Sequence, residues 1–75
     1  MKAIDRMFKV HLTDSRSGRR FEAVWAETMD DGTVRLRNHP CEFPTLHWGD
    51  SVNVVTDEHG DPVVYALSGF ENGEP

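Results

Sequence analysis

Between Met1 and Pro75 the strongest regularity has a period of two. Phe8, Val10 and Leu12 alternate with Lys9 and His11, and Phe21, Ala23 and Trp25 alternate with Glu22 and Val24. Val34 and Leu36 alternate with Arg35 and Arg37. Side chains in an extended strand point to opposite faces in turn, so such alternation reads as strands with one face buried. Two further segments fit strands by composition: the β-branched run SVNVVT (51–56) and PVVYAL (62–67), whose opening proline suits a strand start. Between them lie TDSRSG, DDG and DEHGD, all with turn-forming residues. No segment sustains a helical period over three turns.

Five short strands with one apolar side must curl on themselves to bury it. The expectation is an all-β fold, a small five-stranded SH3-like barrel. An OB-like barrel is the alternative, less favoured because no helix is evident between the third and fourth strands. At 75 residues the chain has room for one small domain, expected over residues 1–70, with 71–75 a frayed tail.

The DDG hairpin leaves a register open. A three-residue loop with Gly32 in the left-handed conformation sets Val34 and Leu36 on the face of Val24 and Ala26, and puts Trp25 beside Arg35 and Arg37. A two-residue Asp31-Gly32 turn would pair Trp25 with Leu36 in the core and drag Glu27 inward, which a bulge near Glu27 would relieve. Core placement is the ordinary fate of a tryptophan. The other outcome is an exposed tryptophan–arginine platform.

The stretch RLRNHPCEFPTLHWGD (35–50) gathers the single cysteine, two of the four histidines and two prolines. His39, Cys41 and His47, with His59 further on, are zinc-type ligands, so a zinc-binding module is one reading. Their spacing matches no paired knuckle. A Cys41 nucleophile would need an oriented base and oxyanion donors, and neither is readable. A turn suits every residue type: Leu46 plugs the core, Gly49 takes a positive φ, Asp50 accepts backbone N–H groups, and Val52 starts the next strand facing inward.

The motifs WAE (25–27), DG (31–32), RLRNHP with Asn38 and Pro40, LHWGD, DEHGD and SGF (68–70) resemble an uncharacterised family of small bacterial proteins. Its pattern runs W-A-x…D-G…L-x-N-x-P…G-D-x-V…D-x-x-G, and the likeness extends from Phe21 to Phe70. That family has no established activity. The resemblance therefore implies a bacterial or phage origin and an all-β fold, and no catalytic role.

Charge is distributed unevenly. The net charge is −5, yet all eight Lys and Arg lie at or before Arg37, and seven acids follow. No phosphate loop, catalytic triad or paired carboxylates in an apolar setting can be read, so no enzyme activity and no cofactor are expected. The lone cysteine and the lack of a long apolar run point to a cytoplasmic setting without membrane association. The leading expectation is a non-catalytic protein-interaction module, such as an acidic regulator or inhibitor of a nucleic-acid-handling machine. Its predicted anchors are Phe43 and Trp48, with Glu42, Asp50, Asp57 and Glu58 as a rim for a basic partner. Trp48 capping the core is the competing placement. The alternative function is single-stranded nucleic-acid binding through Trp25, Lys9, Arg19, Arg35 and Arg37, which the net charge disfavours.

Overall fold

The computed structural model describes residues 6–70. The proposed tail at 71–75 lies outside them. The fold is all-β, with no α-helix among the described residues. Six strands form one mixed sheet: β1 (Met7–Asp14), β2 (Arg20–Thr28), β3 (Val34–Leu36), β4 (Ser51–Val52), β5 (Val55–Thr56) and β6 (Pro62–Ala66). Their order is β4-β3-β2-β1-β6-β5. The strand expected over 51–56 is thus two strands. The chain leaves β4 on one edge and, after Asn53 and Val54, begins β5 on the other. No ladder joins those edges, so the sheet is not closed into a barrel.

Two consecutive strands on opposite edges force a strong curl. Val52 and Val55 are three residue steps apart and so no more than about 11 Å from each other. A flat six-stranded sheet would separate its edges by about 24 Å. The concave side collects the even-numbered residues of the first strands. Val10, Leu12, Val24, Ala26, Leu36 and Val64 are buried there, and Phe43 joins them from the 37–50 loop. Leu46 and Val52 pack against this core, as the turn reading required.

The β2–β3 register follows the three-residue loop. Ala26 faces Leu36, Glu27 faces Arg35, and Thr28 faces Val34, with Met29 N–H donating to Thr33 C=O and Gly32 at φ 87°. The ladder has no bulge near Glu27. An irregularity occurs instead between Leu12 and Thr13, where the partners change from Glu22 to Arg20. The extra residue, Phe21, escapes the alternation and packs edge-on against Phe43, with ring centroids 6.2 Å apart. Glu22 lies opposite Leu12, and its carboxylate accepts the Glu42 N–H at 2.7 Å, which anchors the loop that carries Phe43.

Asp14 is fully buried at the end of β1. Its carboxylate accepts N–H groups from Ser17 (2.9 Å), Arg16 (3.1 Å) and, across the fold, Ser68 (2.9 Å). The Arg16 guanidinium closes the clasp on Asp14 and on the Ser68 carbonyl. Burial alone pushes this carboxyl up. The hydrogen bonds from Ser68 and Ser17 outweigh it and hold the group well below the usual carboxylate range. A carboxyl depressed in the folded state stabilises the fold above its unfolded value, near 4, and that contribution is lost as pH falls through the folded value. Asp14→Asn is therefore expected to lower the melting temperature more than Asp30→Asn does, and to flatten the acid-side decline of stability. Thermal melts from pH 7 to pH 2 on both variants check this.

Candidate functional site

The convex face of the sheet carries a row of side chains that crosses three strands. Lys9 on β1 is the direct neighbour of Trp25 on β2. Arg37 continues the ladder beyond β3, its N–H donating to the Trp25 carbonyl at 2.9 Å. The Lys9 ammonium lies 5.1 Å from the Trp25 ring centroid, and the Arg37 guanidinium lies 4.6 Å from that of Trp48. The row thus reads Lys9, Trp25, Arg37, Trp48, alternating cation and aromatic. Both tryptophans remain open to solvent, Trp25 at 43% and Trp48 at 55% exposure.

Each member is held by its local structure. Arg37 is oriented by Glu27, Nε to Oε1 at 2.8 Å. The Asn38 side chain accepts the Trp25 N–H at 2.6 Å. Trp48 rides on a turn that is stitched to β3, with Gly49 N–H donating to Leu36 C=O and Leu36 N–H to Asp50 C=O. Arg35 donates to the Gly49 carbonyl at 3.1 Å, and Asp50 accepts the His47 N–H at 2.8 Å. Exposed cation–π contacts contribute about 0.5–1 kcal/mol and exposed ion pairs less. Such contacts orient the rings but do little for the fold.

The expected site residues separate under this geometry. Phe43 has no exposed surface and belongs to the core, because the Glu22–Glu42 bond draws its loop under the sheet; its side chain presents no anchor to a partner. Trp48 is exposed, but a cation lies over its ring where an acidic rim was expected. Asp50 is in the same turn, engaged with His47. Glu42 is half-buried, and its backbone is bonded to Glu22 and Gly69. Asp57 and Glu58 belong to the β5–β6 turn, where Asp57 pairs with Arg20. The Asp61 N–H on its carboxylate, together with the His59 N–H and Arg20, holds Asp57 below the ordinary carboxylate range against the opposing effect of burial. Of the alternative set, Trp25, Lys9, Arg35 and Arg37 share the convex face. Arg19 is apart from them, over the Phe21 ring.

Among the described residues no group of three His, Cys, Asp or Glu side chains is placed to hold a metal ion. Cys41 is an exposed free thiol, not the small buried one that its type suggests. A hollow of about 320 Å³ lies over Thr13 and Val63, between Arg20, Asp57 and Tyr65. Its one cation, Arg20, is already matched by Asp57 and Asp61. No helix among the described residues is long and apolar enough to cross a membrane.

Comparisons with protein-family models, with curated proteins and with solved structures find no match to this chain.

Gly49 sets the direction of the Trp48 turn. Its φ is 87°, and a Cβ there would meet nothing within 4 Å. Any penalty for a side chain is thus backbone strain alone. Gly49→Ala is expected to cost about 1–2 kcal/mol in urea unfolding. A substitution without effect would contradict the left-handed turn.

Proposed function

We propose that the protein is a non-catalytic interaction module that binds another protein on its convex face, through Trp25 and Trp48. The observation that carries this reading is the Lys9–Trp25–Arg37–Trp48 row itself. Two exposed tryptophans, Trp25 on β2 and Trp48 on the turn bonded to β3, are each flanked by a cation, and Trp and Arg are residue types that often dominate binding energy at interfaces. The partner's sign follows from the neighbours. Lys9, Arg35 and Arg37 against Glu27 and Asp50 leave this patch a small local positive charge on a chain of net −5. The fitting partner is therefore an acidic segment with an apolar contact, rather than the basic surface that the sequence suggested. The curled sheet is best read as an SH3-like barrel left open along one seam, and the single exposed thiol suits a reducing cytoplasm.

One observation favours a second reading. Aromatic rings interleaved with cations are also how single-stranded nucleic acid is bound without sequence preference. A salt-sensitive change in tryptophan fluorescence on titration with oligo-dT at low salt supports it.

The test of the first reading is affinity capture from bacterial lysate with matched variants. Trp48→Ala is expected to keep its melting temperature and to lose the captured partner, with affinity weaker by about 2 kcal/mol or more, roughly 30-fold. Glu58→Lys, distant in the β5–β6 turn, is expected to retain it. Equal capture by wild type and Trp48→Ala refutes the platform. A large fall in melting temperature instead assigns Trp48 to the core.

A further inference from the structure

The face of the sheet opposite the core holds a second, smaller buried patch, toward β6 and away from the tryptophan row. Successive residues of a strand point to opposite faces, so Thr13 and Val63 stand away from Leu12 and Val64 of the core. Both are buried all the same, at 3% and 1% exposure. Register places Thr13 between Arg20 on β2 and Tyr65 on β6. Arg20 reaches the β5–β6 turn, where it pairs with Asp57 and, at 3.5 Å, with Asp61. Thr13 and Val63 thus underlie the hollow of about 320 Å³ that Arg20, Asp57, Glu58 and Tyr65 surround.

Two observations point to a ligand and to its sign. The Thr13 hydroxyl is the one side-chain N or O atom among the described residues that is buried without a hydrogen-bond partner. A covered hydroxyl left unpaired is destabilising, and folded proteins keep few of them. The charges around it set the complement. Arg20 is matched twice, and the Gly18 N–H donates to the Asp14 carbonyl at 2.8 Å, so these donors are engaged and do not draw an anion. The Glu58 carboxylate is 87% exposed, with the His59 imidazole 3.8 Å away. The lining sets Arg20 against both Asp57 and Glu58, so with histidine neutral its charge is negative.

We propose that this hollow binds a small primary amine in its ammonium form. Rotation about χ1 carries the Thr13 hydroxyl toward the hollow, where it accepts one N–H of the ammonium while the Glu58 carboxylate accepts another. The Tyr65 ring offers a face to the charge, and Val63 meets the alkyl chain. An ammonium leaves water at little cost only where acceptors replace it. Here it gains a hydroxyl and a carboxylate, and the hydroxyl gains the partner that the protein does not supply. The volume is at the low end for small-molecule sites, which suits a short alkyl chain.

The probes are butylamine hydrochloride, N-acetyl-lysine methylamide and sodium butyrate, titrated into the full chain at constant ionic strength. NMR signals of the Thr13 methyl group and the Tyr65 amide are the readout. Both amines are expected to shift them saturably, and butyrate is not. Tighter binding of the blocked lysine places the ammonium on a polypeptide; otherwise it belongs to a free amine, and either result supports the site. Thr13→Val replaces an unpaired hydroxyl with a methyl group. Its melting temperature is expected to hold or rise, while amine affinity read at Tyr65 falls about tenfold or more. Glu58→Lys is expected to abolish amine binding yet to retain the partner of the tryptophan row, so the two sites fail separately. Three results overturn the inference. Thr13→Val or Glu58→Lys binds the amines as tightly as the wild type. Thr13→Val melts well below the wild type, so the hydroxyl has a partner within the folded chain. Or butyrate shifts the signals as the amines do, or no amine saturates them, so the hollow does not select an ammonium.

Discussion

Two residues, Asn53 and Val54, connect strands that belong to opposite edges of the sheet, and most of the structure follows from that short link. It limits how far the edges can part, so the sheet curls. Curling gives a concave side that a single loop can fill, and Phe43 fills it. Curling also turns the other face outward as a convex surface, where the odd-numbered residues of β1 to β3 stand in rows. The link is too short for the edges to diverge, yet no ladder joins them. Core, platform and seam are three consequences of one connection.

Polar anchors keep the loops in place around that curl. The Asp14 carboxylate binds N–H groups from its own turn and from Ser68, tying the chain beyond β6 to the β1–β2 turn. Glu22 does the same for the loop before Phe43. Asp57 caps the β5–β6 turn with two N–H bonds and reaches Arg20 on β2. Many of the acids that give the chain its negative charge thus serve the backbone. Lys9 of β1 and Arg37, just past β3, flank the tryptophans. This division explains how a net acidic protein presents a basic aromatic patch.

The strands were legible in the sequence because period-two alternation reports burial directly. Val10, Leu12 and Leu36 are inside as their pattern required, whereas in β2 the buried face is that of Val24 and Ala26, as the three-residue loop implied, and not that of Ala23 and Trp25, which are exposed. The turn at 46–52 was legible as well, since Gly49, Asp50 and Leu46 each have a narrow set of uses. What the sequence did not disclose was long-range. Nothing local in SVNVVT says that the chain changes edges between Val52 and Val55. Phe21 breaks its own alternation through a bulge that depends on where Arg20 meets Thr13. Phe43 lies in a proline-bearing loop that reads as surface until Glu22 is seen to hold it. Asp14 looked like one turn residue among several. Its partner Ser68 is 54 positions away. The cation–aromatic row had a local hint in the Trp25 register. Only the completed sheet shows that Arg37 stacks on Trp48.

Scalar couplings across hydrogen bonds, read by NMR for each backbone amide, test the central claim of an open curled sheet most directly. The account predicts couplings from Ser15 N–H to Ala66 C=O, from Leu36 N–H to Asp50 C=O and from Gly49 N–H to Leu36 C=O, and none from the Tyr65 N–H to any carbonyl of residues 51–54. A coupling between Tyr65 and that segment would mean that the sheet closes on itself, and the open seam would not exist.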